Sequence, residues 1–309
     1  MKRKDFLKLI GTAALIPTQT FGAFLENDSK LKKITILHTN DTHARIDPFP
    51  LDHPQYANMG GFARRAKYVK QVRTENPHTL LLDAGDVFQG TPYFNLFKGK
   101  LDYNLMSEIK YDATTLGNHE FDNGVEGLLD SLQSLKLPVV NSNYRIDDKR
   151  FEKHVKNYII KEINGIRIGI FGLGIDFNTL VLEENHTGFA YREAISVGKG
   201  VSSNLKKYLK CDFVICLSHI GYDYPDDPKR PNDLKLAAES EYIDLIIGGH
   251  THTFLEKPTL VKNKFGRDVI VNQVGYAGIN VGKIDLFFNE KKSVITYTSE
   301  PKLISEHTG

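Results

Sequence analysis

Six apolar runs of strand length punctuate this sequence, and five of them give way at once to a loop carrying histidine or carboxylate side chains. Lys33–His38 leads into Thr39-Asn40-Asp41-Thr42-His43, Thr79–Asp83 into Ala84-Gly85-Asp86, and Ala113–Leu116 into Gly117-Asn118-His119-Glu120. Phe213–Leu217 leads into Ser218-His219, and Ile243–Ile247 into Gly248-Gly249-His250-Thr251-His252; the sixth run is Val139–Asn141. Ligand sites in α/β sheets form beyond the carboxyl ends of strands, so a fold that aligns these runs brings the five loops to one point.

Helical stretches separate the runs, the pattern of a layered α/β domain. Helices are expected over Gly61–Glu75, Leu101–Ile109, Val125–Leu135 and Ala194–Leu209, the last with exposed lysines. Asn164-Gly165 lies between Tyr158-Ile159-Ile160 and Ile166-Arg167-Ile168, and both residues accept the positive φ angles of a tight hairpin turn. From Val269 to Thr298 the chain reads mostly as strand with mixed pairing, and no linker marks a second domain. Cys211 and Cys216 are five apart, which on one strand puts them on opposite faces; both read as small buried hydrophobes.

A chain of 309 residues, 40% hydrophobic and 25% charged, has ample material for a large core. Its formal net charge is +2, and Lys2, Arg3, Lys4 and Lys8 against Asp5 place +3 of that in the first 22 residues. The remainder is near neutral and lacks the basic field that a nucleic-acid binder requires. The basic start, the apolar run Leu9–Ile16 and small residues near Gly22 and Ala23 read as an export signal over 1–22, too short for a permanent membrane anchor. Arg3-Lys4-Asp5-Phe6-Leu7-Lys8 resembles a twin-arginine signal with Lys4 in place of the second arginine. The expected location is therefore periplasmic or secreted.

Asp41, His43, Asp86, Asn118, His219, His250 and His252 make a mixed oxygen and nitrogen donor set suited to divalent transition metals. Seven donors exceed the needs of one four-coordinate ion, whereas a pair sharing a bridging carboxylate uses all of them. Such a pair lowers the pKa of water and clamps the oxygens of an in-line phosphoryl displacement, without a covalent protein nucleophile. Other chemistries fail on the residues. Asn123 stands where a zincin helix needs its second histidine, and Cys216 and Ile220 replace the glycines of a nucleophile elbow around Ser218. Gly172-Leu173-Gly174 is followed by Phe177 where a dinucleotide fingerprint needs glycine. Asn40 fits equally a turn or a support for the ligands. Tyr222, Tyr224, Phe88 and Tyr93 read as packing residues, and Arg64 and Arg65 as a solvated helix face.

The succession of D-x-H, G-D, G-N-H and G-H-x-H resembles the calcineurin-like metallophosphoesterases. Gly117-Asn118-His119-Glu120-Phe121-Asp122, Gly85-Asp86-Val87-Phe88-Gln89-Gly90 and Leu217-Ser218-His219-Ile220-Gly221-Tyr222 narrow it to the 5′-nucleotidase and UDP-sugar hydrolase family. The resemblance implies a sandwich of mixed sheets flanked by helices and two divalent ions, with Mn, Zn, Fe and Co all admissible. One ion would be held by Asp41, His43, Asp86 and His252, the other by Asp86, Asn118, His219 and His250. His119 matches the catalytic histidine and Asp122 its carboxylate partner. The implied substrate is a phosphate ester, foremost a nucleotide. Residues 23–309 match the catalytic domain alone, which suggests another substrate or a separate nucleotide-binding chain. A 2′,3′-cyclic phosphodiesterase, a nucleotide-sugar pyrophosphohydrolase, a hydrolase of sulfur-linked groups and a non-catalytic metal-binding module share this ligand set.

Overall fold

The computed structural model describes residues 31–308, and the expected export signal lies outside them. Strands run in chain order as β1 (Lys32–Thr39), β2 (Thr79–Asp83), β3 (Val139–Val140), β4 (Tyr144–Ile146), β5 (Val155–Lys156), β6 (Tyr158–Ile163) and β7 (Ile166–Gly174). They continue as β8 (Phe189–Tyr191), β9 (Phe213–His219), β10 (Leu245–Gly248), β11 (Thr259–Lys262), β12 (Asp268–Asn272), β13 (Asn280–Phe288) and β14 (Val294–Leu303). The helices are α1 (Phe62–Glu75), α2 (Pro92–Phe97), α3 (Lys100–Glu108), α4 (Gly124–Leu132), α5 (Ala194–Lys207) and α6 (Asp233–Glu239).

Two mixed sheets form the centre, one ordered β14-β13-β1-β2 and the other β11-β12-β10-β9-β7-β6. Side-chain alternation along the strands sorts the apolar residues into three layers. Ile34 and Ile36 of β1 and Leu80 and Leu82 of β2 meet Ile168 and Ile170 of β7 and Ile215 and Leu217 of β9 in the layer between the sheets. The opposite faces take the helices: Leu37 and Leu81 pack with Val69 and Val72 of α1, while Val214 and Cys216 pack with Leu205 of α5 and Leu236 of α6. Each such fully buried aliphatic side chain contributes roughly 1.5–3 kcal/mol of transfer free energy. The result is the expected α/β sandwich with helices on both outsides.

Strand direction positions the site. β1 and β2 are parallel, with Ile36 opposite Leu80, and β7, β9, β10 and β12 are mutually parallel in the other sheet. The hairpin forms where expected, with Asn164 at φ 52° and Gly165 at φ 74° between β6 and β7. The C-terminal stretch is strand as expected, but its strands divide between the sheets, β12 in one and β13 and β14 in the other.

Four expectations need correction. Ala113–Leu116 makes only single bridges, Ala113 to Leu82 and Thr114 to Val139, so it crosses the sheet edge without building a ladder. Cys211 precedes β9, out of reach of its alternation, so it shares a layer with Cys216; both remain free thiols. Arg65 is no solvated residue: it is buried, its guanidinium 4.7 Å over the Phe62 ring. Helices α2 and α6 were not anticipated. The first begins on Pro92, and the second is capped by the Asn232 side chain, which accepts from the Lys235 backbone N–H at 2.9 Å.

Candidate metal centre

The parallel strands of both sheets deliver their loops to one rim, as the sequence pattern requires. Asp41 and His43 follow β1, Asp86 follows β2, His219 ends β9, and His250 and His252 follow β10. Asn118 precedes the single turn His119–Phe121. Asp41, His43, Asp86, His250 and His252 all have positive φ, from 48° to 71°. Aspartate and histidine tolerate this left-handed region better than most L-residues, yet it costs of order 1–3 kcal/mol per residue unless the surroundings hold it.

Two groups result, Asp41 with His43 and His252, and Asp86 with His219 and His250. In the first, Nε2 of His43 lies 3.0 Å from Nε2 of His252, and His252 Nε2 lies 3.3 Å from Asp41 Oδ1. In the second, His219 Nε2 is 3.0 Å from Asp86 Oδ2. The same His219 nitrogen is 3.9 Å from Asp41 Oδ1, so the groups adjoin. Asn118 Oδ1 reaches His250 Nδ1 at 3.0 Å.

Backbone contacts decide which imidazole nitrogens face inward. A carbonyl oxygen only accepts, so His43 donates from Nδ1 to the Phe88 carbonyl at 3.1 Å and His219 from Nδ1 to the Ala84 carbonyl at 2.7 Å. With Nδ1 engaged, Nε2 is the nitrogen that each ring turns toward the rim, His43 to the His252 imidazole and His219 to the Asp86 carboxylate. Converging nitrogen and carboxylate lone pairs at these distances suit a cation between them, so the residues fit divalent ions. The electrostatics are divided accordingly. Burial opposes charging of His219, but the Asp86 and Asp41 carboxylates overcome it and raise its pKa to about 10. Burial pushes Asp86 upward, and His219, His43 and His119 outweigh it and hold it ionised. His250 drops to about 4 through burial and the neighbouring charge of His219.

At the outer edge, His119 Nδ1 lies 2.9 Å from Asp122 Oδ2, and both side chains are about a third exposed, 32% and 30%. The His119 ring sits edge-on to His43 with centroids 5.4 Å apart. Burial disfavours its charged form, but the Asp122 hydrogen bond and the Asp86 charge prevail and raise its pKa. The sequence-derived metal residues are thus brought together, with His119 and Asp122 beside them.

Supporting residues resolve in the same region. Asn40 Nδ2 donates to Asp41 Oδ2 at 2.6 Å and to the Gly275 carbonyl at 2.5 Å, so it fixes the Asp41 carboxylate. Glu120, which sequence reasoning missed, is fully buried and accepts backbone N–H groups from Gly117 at 2.5 Å, Val87 at 2.8 Å and Asp86 at 3.1 Å. It pins the Asp86 loop to the Asn118 loop, and Gly117 between them has no room for a Cβ against Asp86. Of the four aromatics read as packing residues, Phe88 is buried and the three tyrosines are half-buried. Phe88 packs against Tyr103 in the core with the rings tilted, Tyr222 bonds Thr259, Tyr224 donates to the Ile220 carbonyl, and Tyr93 donates to Asp47. The aromatic ring that does reach a proposed ligand is Tyr276, stacked on His252 at 5.0 Å and 13°. Arg64 reaches Asn58 rather than the rim.

The chain is 32% identical to the snake venom 5′-nucleotidase of Crotalus adamanteus, over 89% of this chain and 48% of that protein. It is 33% identical to the 5′-nucleotidase of Bos taurus, over 92% of this chain and 51% of that one. Among solved structures, the 5′-nucleotidase precursor from Thermus thermophilus superposes with a TM-score of 0.80 at 32% identity, over 90% of this chain and 56% of that one. The chain thus spans about half the length of the curated relatives it matches. The model of the calcineurin-like phosphoesterase family matches residues 34–254, a stretch that takes in Asp41, His43, Asp86, Asn118, His119, His219, His250 and His252, and the chain belongs to that family.

Proposed function

We propose that this chain is a divalent-metal-dependent hydrolase of phosphate esters, acting on nucleotides as a 5′-nucleotidase. The observation that carries the reading is the meeting of two ligand groups at one rim with His119 at their edge. On this reading Asp41, His43, Asp86 and His252 hold one ion, Asp86, Asn118, His219 and His250 hold the other, and Asp86 is shared. Bound divalent ions supply an activated water and neutralise phosphoryl charge, and Mn, Fe, Zn and Co all accept this donor set. The Phe88 and Ala84 carbonyls fix the tautomers of His43 and His219 so that Nε2 serves as the ligand atom. Asp122 engages Nδ1 of His119 and favours its protonated form, so Nε2–H is the donor that would stabilise phosphoryl oxygens or protonate the leaving oxygen.

The likeness to 5′-nucleotidases supports the nucleotide substrate. Because the match covers about half of each, we also propose that discrimination among nucleosides draws on a nucleoside-binding element outside the matched region, for which a separate chain is one source. Export by the 1–22 signal, through the twin-arginine route, completes the reading. Its support is the sequence pattern and the venom and precursor designations of relatives, and no described helix is long and apolar enough to cross a membrane. The test is release of phosphate from AMP and from a small aryl phosphate by the purified chain with added Mn²⁺. Hydrolysis of both that chelation abolishes is expected, with specificity constants that differ little. Full activity in chelator-stripped protein would overturn the metal-dependent reading, and strong selectivity for AMP would overturn the outside nucleoside element.

A further inference from the structure

Gln273 follows β12 and is fully buried, and its amide spans the turn that carries His250 and His252. Its Nε2 donates to the Gly249 carbonyl at 2.7 Å, just before His250. Its Oε1 accepts the Thr251 hydroxyl at 3.0 Å, between the two histidines, and the Thr253 backbone N–H just after His252. One side chain thus grips the turn before, between and behind both histidines. The Thr251 hydroxyl also accepts the Tyr222 backbone N–H at 3.0 Å, which ties the same turn to the loop following His219.

This grip has work to do because His250 and His252 both adopt left-handed backbone, at φ 71° and 52°. A turn with two such L-residues relaxes unless its surroundings over-determine it. The two histidines also serve different groups, His250 with Asp86 and His219, His252 with Asp41 and His43. Relaxation of the one turn therefore displaces a donor from each. Only an amide answers the pattern, since Gly249 offers an acceptor while Thr251 and Thr253 offer donors. A glutamate would face the Gly249 carbonyl with a second acceptor, and a methionine would meet neither demand.

We propose that Gln273 is a positioning residue that sets both metal sites at once by holding the His250–His252 turn. The inference rests on the reading that the two groups hold divalent ions. The experiment is calorimetric titration of Mn²⁺ into the chelator-treated full chain, paired with the visible absorption of the Co²⁺-loaded protein. Gln273→Met and Gln273→Glu should each lower affinity at both sites by roughly 10- to 100-fold, the usual cost of losing a partner that orients metal ligands. The Co²⁺ bands should shift at the same time. Thr251→Val removes the central hydroxyl and should act in the same direction, which keeps the test available if the Gln273 variants do not fold. Asn143→Leu is the control, since that buried amide grips Gly174 in the same manner with both contacts at 2.8 Å. It should leave both affinities and the Co²⁺ spectrum unchanged. Unaltered binding in folded Gln273→Met and Thr251→Val overturns the proposal, as does a loss confined to one site or an equal loss in Asn143→Leu. A wild-type chain that binds no divalent ion overturns the metal reading instead.

Discussion

His38 and His219 are both fully buried imidazoles near the carboxyl end of a strand, β1 and β9 respectively, yet their surroundings drive them in opposite directions. His38 points into the layer between the sheets, where Asn272 Nδ2 of β12 donates to its Nε2 at 2.9 Å. No carboxylate offsets its burial, and its pKa falls to about 3. His219 opens onto the rim, where Asp86 and Asp41 overcome the same burial and raise its pKa to about 10. Burial alone makes a histidine a neutral packing group. Burial beside carboxylates whose own loops are pinned makes it part of a site that attracts cations.

The largest effect that should separate the two regions comes from the rim. Asp86→Ala removes the carboxylate next to both ligand groups and should reduce metal content and phosphate release to the level of the chelated protein. His38→Gln in the interior should leave metal content intact. Elemental analysis of the two purified variants checks this, and retention of one full equivalent in Asp86→Ala would contradict the sharing of that carboxylate.

A smaller effect divides the rim itself. His119 lies beside the ligand groups, so His119→Asn should keep its metal while turnover falls by roughly 10² to 10⁴, the range for a lost general acid. Steady-state kinetics with parallel metal analysis decides the matter, because a variant that also loses metal would place His119 among the ligands.

The smallest effect belongs to the interior histidine and appears in stability. His38 has a folded pKa of about 3 against an ordinary value of 6.5, so between these limits the unfolded chain binds the extra proton. Its contribution is fully present above pH 6.5 and is lost as pH falls toward 3, with a slope of at most about 1.4 kcal/mol per pH unit. Denaturant unfolding of metal-free wild type and His38→Gln over that window should show a shallower acid loss in the variant. Parallel curves would mean that His38 does not titrate with unfolding.

How far the sequence carries can be seen from these same residues. The runs around Ile36, Leu81 and Ile215 announced strands, and the loops after them announced donors, because both signals are local: a stretch of apolar residues, then a turn with metal-competent side chains. Asn164-Gly165 marked its hairpin for the same reason. The faces were not legible. Phe213 to Leu217 is apolar throughout, and only the stacking of two sheets decided that Ile215 faces the other sheet while Cys216 faces α5.

The sequence by itself determined the order of strands and loops, the donor chemistry and the His119 and Asp122 spacing, all of which depend on residue type and near neighbours. Tertiary structure alone decided what holds them. Glu120 joins the Asp86 loop from 34 residues away, Asn40 reaches Gly275 from a separation of 235, and Gln273 grips Gly249 from 24. Each is an ordinary polar residue until a distant backbone group meets it. His38 and His219 differ for the same reason, since the field at a buried imidazole is set by carboxylates that the fold brings near, and not by its neighbours in sequence.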